Sequence, residues 1–121
     1  MAWAFAWLTV LALLSGVATP AGAQSPFEAA AIVNDQIVTR YDVDQRRRLL
    51  VLNGAPAADA GALALNQLID DALRREAAQR VGVAATDSGV QNAVAEYAAQ
   101  RNLSPDALNG ALQRAGVDAA T

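Results

Sequence analysis

The side chains with chemical potential in this sequence are carboxylates and guanidiniums. Two acidic pairs stand out, Asp42 with Asp44 and Asp70 with Asp71, beside one basic run, Arg46-Arg47-Arg48. Two carboxylates facing one cleft would suit general acid and base work or hold a cation. On a helix, residues one or two apart point away from each other, so neither pair converges within its own segment. Each acid instead has an arginine four residues on, giving Asp42–Arg46, Asp44–Arg48, Asp70–Arg74 and Asp71–Arg75, and Glu76–Arg80 repeats the spacing. Structural ion pairs are the expected role, each worth about 0.2–0.5 kcal/mol on an exposed helix. The arginine run has the chemistry to meet phosphate or lipid headgroups. Its expected role is plainer: to complement the dipole near a helix C-terminus and keep one face solvated.

The rest of the inventory narrows the chemistry further. The 121 residues include no Cys and no His, and all nine basic residues are Arg. Disulfides, Cys/His zinc sites, His-based triads and haem ligation by His are thereby excluded, and no serine or threonine has a His or Lys to activate it. A net charge of −3 and a pI near 4.7 argue against a uniformly basic surface for nucleic acid. The scattered glycines form neither GxGxxG nor GxxxxGK[ST], so no nucleotide cradle is present. No cofactor, metal or nucleic acid is expected. The length suits one small domain.

The apolar residues are unevenly spread. Residues 1–23 carry no charge and contain both Trp residues and the only Met. The run ends in Thr19-Pro20-Ala21-Gly22-Ala23, which puts small residues at the −3 and −1 positions of a cut before Gln24. This pattern predicts a secretory signal peptide over 1–23, with Ala21, Ala23 and Gln24 at the cleavage site. The competing assignment is a retained anchor, since the run approaches the roughly 20 residues that span a bilayer. Gly16 and Pro20 count against it, and a membrane role is expected only if the leader stays uncleaved. The absence of Cys fits export to a bacterial periplasm.

Downstream, the pattern predicts a mainly α domain over 24–121: a short N-terminal β-hairpin followed by about four helices. Ala29 to Val38 reads as two short strands around Asn34-Asp35, residues that tolerate a two-residue turn. Thr39 is placed to cap a helix from Arg40 to about Leu52, with Asp42 completing a capping box. Asn53-Gly54-Ala55-Pro56 ends it. A longer helix follows from about Ala60 to Val81, with Leu65, Leu68, Ile69, Ala72 and Leu73 expected as one buried stripe. Gly82 closes it, and Thr86 caps a third helix from Asp87 to about Arg101 whose Val90, Val94 and Tyr97 share a face. Ser104-Pro105-Asp106 opens the fourth, with Ala107, Leu108, Ala111, Leu112 and Ala115 apolar and Gly116 at its end. Asp118 is placed to cap a further helix, so the domain is expected to be incomplete at its C-terminus. The many alanines predict close helix contacts that each bury little area, hence a marginal core.

These apolar faces are either core or a groove for another chain. The residues at issue are Leu65, Leu68, Ile69, Leu73, Val94, Tyr97, Leu108 and Leu112.

The order of the pieces resembles a known family. A leader precedes Ala30-Ala31-Ile32-Val33-Asn34-Asp35-Gln36-Ile37-Val38-Thr39 and Asp42-Val43-Asp44. Then come Leu68-Ile69-Asp70-Asp71-Ala72-Leu73, Val81-Gly82-Val83, Asn102-Leu103-Ser104 and Ala115-Gly116-Val117. This is similar to the N-terminal domain of the SurA family, periplasmic chaperones that carry parvulin-type peptidyl-prolyl isomerase domains. The resemblance implies a helical module that binds unfolded outer-membrane proteins, or other non-native polypeptides, and assists their folding and assembly. It also implies that parvulin domains and a C-terminal segment would follow. The parvulin site uses His residues, and no position here can take over that role. The alternatives are the front of a full-length isomerase whose catalytic domain is missing here, or a helical dimerisation module.

Overall fold

A computed structural model describes residues 25–121. The expected leader and its cleavage residues Ala21, Ala23 and Gln24 lie outside them. The elements run β1 (Ala29–Val33), β2 (Gln36–Thr39), α1 (Arg40–Leu52), α2 (Ala57–Arg80), α3 (Asp87–Ala99) and α4 (Pro105–Arg114). The mainly α expectation with one short hairpin holds. No helix among the described residues is long and apolar enough to cross a membrane.

Local signals in the chain fix most boundaries. Asn34 takes φ 52°, and the antiparallel strands close Val33 onto Gln36 across the two-residue turn. A register irregularity between Ala29 and Ala31 then bulges β1. Thr39 caps α1 with a complete capping box: its Oγ1 accepts from the Asp42 N–H at 3.1 Å, and its own N–H donates to Asp42 Oδ2 at 2.9 Å. Thr86 Oγ1 and Ser104 Oγ accept the Gly89 and Ala107 N–H groups, capping α3 and α4. Gly54, Gly82 and Gly116 take φ of 93°, 72° and 68° beyond the ends of α1, α2 and α4, and Asn102 takes 55° beyond α3.

Two boundaries differ from expectation. The second helix begins at Ala57, because Pro56 presets a helical φ and its carbonyl accepts from the Asp59 and Ala60 N–H groups without any side-chain cap. The third ends at Ala99, and residues 100–102 continue as a turn.

The packing of α1 on α2 is antiparallel, as the four-residue connection requires. Arg46 meets Gln67 and Asp71, while Gln36 and Asn34, earlier in the chain, meet Ala72 and Glu76 further along α2. The buried line of α2 is not the expected row of large residues. Ala60, Ala64 and Ala72 are 0–2% exposed, with Leu68 half-buried between them at the same four-residue spacing. Leu65 and Ile69 are half-buried, and Leu73, expected in the stripe, is exposed. The reason is geometric: alanines let the two helices approach closely, so the small residues take the centre and the leucines are pushed to the flanks.

The ion pairs are also redistributed. Asp44–Arg48 and Glu76–Arg80 form within their helices as expected. Asp42 is engaged in its cap, which frees Arg46 to cross to Asp71 at 3.0 Å. Arg74 reaches Asp71 rather than Asp70, and Arg75 donates to Gln36 Oε1. The arginine run therefore does not serve the α1 dipole, whose last turn contains no basic residue. Arg46 ties α1 to α2, and Arg47 and Arg48 both clasp Asp44.

The hydrogen bonds from Arg47, aided by those from Arg48, hold the Asp44 carboxyl below its ordinary value despite the opposing effect of partial burial. A depressed carboxyl stabilises the fold above the unfolded-chain pKa, and that contribution is lost as pH falls through the folded value. In a carboxyl 13C titration, Asp44 should show a midpoint below the one it has in denaturant. An equal midpoint would mean that the clasp is not populated.

Gly116 supplies a sharper test of the α1–α4 junction. A Cβ there would stand 2.5 Å from Arg48 Nη1, on a backbone already at φ 68°. Gly116→Ala should destabilise the chain by at least about 1 kcal/mol. Gly61→Ala, in α2 with open space around the added carbon, should stabilise it by about 0.5–1 kcal/mol. Urea denaturation of the two variants should move the midpoint in opposite directions.

Candidate functional site

Two concavities compete for a functional role. The first lies between the hairpin, α1, α2 and the final residues, with a volume of about 250 Å³. Tyr41, Asp42, Arg46, Leu68, Arg75 and Asp118 contribute to its wall. Its polar groups already have partners: Asp42 holds the cap of α1, Arg46 pairs with Asp71, and Arg75 bonds Gln36. Partial covering of the ring and the hydrogen bond its hydroxyl donates to Asp118 raise the Tyr41 phenol above its ordinary value. A phenol held neutral and carboxylates held by caps and neighbours give no pair poised to exchange a proton. Among the described residues, no group of three or more Asp or Glu side chains is placed to hold a metal ion.

The second concavity is apolar. It is a groove of about 320 Å³ between α1, α3, α4 and the segment after α4. Leu49 comes from α1, Val90, Val94 and Tyr97 from α3, and Leu108 and Leu112 from α4, with Val117 closing one side. A smaller hollow of about 180 Å³ shares Tyr97, Leu108 and Leu112 and adds Leu52, Asn53 and Leu103. The apolar face of α4 recurs at four-residue steps from Leu108 to Leu112, and Val90, Val94 and Tyr97 form the matching row on α3. Leu108 is 5% exposed and Val117 4%, so the floor is firm. Val90 at 53% and Val94 at 38% leave the wall formed by α3 open to water.

Polar fastenings set the geometry of this groove. The Gln45 side chain, buried in α1, accepts the Asp118 N–H at 2.7 Å, and Arg48 donates to the Gly116 carbonyl at 3.3 Å. These bonds moor the segment after α4 onto α1. At the other end Asn53, just past α1, bonds the Tyr97 hydroxyl at 2.8 Å, and Arg101 donates to Asn53 Oδ1 at 3.0 Å. The Arg101 guanidinium lies 3.5 Å from the Tyr97 ring centroid, a cation–π contact. Asp118 Oδ1 accepts from the Ala120 N–H within a short turn, and Oδ2 accepts from Tyr41.

Of the eight residues singled out in the sequence, the structure brings four together in this groove: Val94, Tyr97, Leu108 and Leu112. Leu68 borders the polar concavity, while Leu65 and Ile69 sit beside the α1–α2 contact and Leu73 faces solvent. Sequence reasoning missed Asn53, Arg101 and the mooring by Gln45. Gln45 left a readable signal, since it sits four residues from both Tyr41 and Leu49 in an otherwise apolar row.

Comparison with known proteins follows the same outline. Residues 28–121 match the family model described as the SurA N-terminal domain. The curated protein named Chaperone SurA from Vibrio vulnificus (strain YJ016) is 31% identical, over 92% of this chain and 28% of its own length. The protein of that name from Salmonella choleraesuis is 31% identical over 95% of this chain and 29% of its own. The one from Pseudomonas fluorescens is 30% identical over 88% and 26%. The chain thus spans less than a third of the length of these relatives. No solved structure gives a significant match.

Proposed function

The chain belongs to the SurA N-terminal domain family, and from that membership we propose that it is a periplasmic chaperone module holding apolar segments of non-native polypeptides, outer-membrane proteins among them, in the groove between α1, α3 and α4. The observation that carries the reading is the open apolar wall. Val90 and Val94 stand exposed above a firm floor of Leu108 and Val117. Contiguous apolar surface in a concavity favours an apolar partner, because each Å² removed from water contributes about 25 cal/mol. The names of the curated relatives support a chaperone role. The uncharged residues 1–23, with Ala21 and Ala23 ahead of Gln24, support export to the periplasm by a cleaved signal peptide.

The reading is tested with a urea-denatured outer-membrane porin diluted into buffer with the 121-residue chain. Stoichiometric chain should suppress the rise in light scattering. Unchanged scattering at several-fold molar excess would reject the proposal.

A further inference from the structure

We propose that α3 is a hinged flap on this groove, pivoting at its C-terminal end on the Asn53–Tyr97–Arg101 cluster and closing over a bound polypeptide segment. The proposal rests on the reading above that the groove holds non-native polypeptide, and it names how that site is opened and shut.

The burial pattern is the first observation. Every residue from Gln79 to Glu96 is exposed, and α3 buries only Ala98. A helix of 13 residues is marginal in water without a packed face. Against the described residues, α3 is only lightly packed over most of its length.

The fastenings are the second observation, and they gather at one end. The Tyr97 hydroxyl and the Asn53 side chain exchange bonds at 2.8 and 3.1 Å, and Arg101 bridges Asn53 and the Tyr97 ring. Just beyond, the Leu103 N–H donates to the Ala98 carbonyl at 2.9 Å. At the opposite end the connector 81–86 is wholly exposed, with Gly82 at φ 72°. Its Val83 N–H bonds back to Ala78 of α2, and among the described residues Thr86 bonds within the first turn of α3 alone.

A rod fixed at one end and loosely tethered at the other rotates about the fixed end. Rotation carries Val90 and Val94 across the groove, while Tyr97, beside the pivot, moves little. A segment in the groove gives those two valines, 53% and 38% exposed against the described residues, further apolar contact. That difference in contact is what shifts the flap toward closure.

Amide hydrogen exchange on the 121-residue chain tests the flap, with reduced and carboxymethylated α-lactalbumin as the permanently unfolded probe. In the free chain, amides of residues 91–96 should exchange at least about tenfold faster than those of residues 64–76. Saturating probe should slow the α3 amides by about tenfold and leave α2 unchanged. Asn53→Ala should speed free α3 exchange about fivefold through the lost hydrogen bonds, again without moving α2, which separates a loosened pivot from general destabilisation. Free α3 amides as protected as those of α2 would overturn the flap. So would a complex, seen by gel filtration, that leaves α3 exchange unchanged, although the groove reading would then stand. If no complex forms, the groove reading fails and the flap falls with it.

Discussion

Leu108→Ala should lower the stability of the chain by about 2–4 kcal/mol, the range for emptying a buried leucine site. Leu108 is 5% exposed and forms the floor shared by the groove and its smaller neighbour. Among the described residues, the other apolar side chains buried to this degree are alanines and valines, so Leu108 is the largest of them. Urea denaturation should show the full loss as a lower midpoint. Leu63→Ala serves as the control: Leu63 is 45% exposed, and its truncation should cost less than about 1 kcal/mol. Equal losses at the two positions would mean that α4 is not docked through Leu108.

Ala64→Leu should be the second large effect, in the opposite steric direction. Ala64 is 0% exposed at the α1–α2 contact, between Ala60 and Leu68 on the same row. Added methylenes there force the helices apart or push side chains off their rotamers, at about 1–3 kcal/mol. In a domain of this size each 1 kcal/mol lowers the melting temperature by about 4–8 °C. Ala57→Leu, on the exposed first turn of the same helix, should change stability by at most about 0.5 kcal/mol, which is no more than about 2–4 °C in melting temperature. A neutral Ala64→Leu would contradict the close approach on which the core depends.

Punctuation was the most legible layer of the sequence. Thr39 with Asp42, Thr86 and Ser104 act through bonds three residues long, and Gly54, Gly82 and Gly116 act through their own backbone angle. Each is decided within one turn of chain, so a reader of the sequence has all the information needed. The side of α2 that faces the core was less legible. Large residues at helical spacing, Leu65, Ile69 and Leu73, suggest a stripe, but the contact closes on Ala60, Ala64 and Ala72. Hydrophobic size ranks residues by what they gain on burial, whereas close helix approach selects those that leave room.

Partners distant in sequence were not legible at all. Arg46 has a suitable acid at Asp42, and only the antiparallel seating of α2 brings Asp71 nearer. The groove was half visible for the same reason. Val94, Tyr97, Leu108 and Leu112 declare apolar faces on two helices, but Leu49 and the mooring of Asp118 by Gln45 come from α1, far away in the chain.

The measurement closest to the central claim compares two pairs of exposed apolar residues on one protein. Val90→Asp with Val94→Asp places charge on the wall of the groove; Ile32→Asp with Ile37→Asp places it on the hairpin, outside that groove, where those isoleucines pair across the strands. All four positions are exposed, so each pair should fold. An anisotropy titration with fluorescently labelled, reduced and carboxymethylated α-lactalbumin should then show at least about a tenfold loss of affinity for the groove pair, since a carboxylate loses its water when an apolar segment is seated against it. The hairpin pair should bind like the parent chain. Equal binding by the groove pair and the parent, or a loss confined to the hairpin pair, would contradict the assignment of the groove as the polypeptide site.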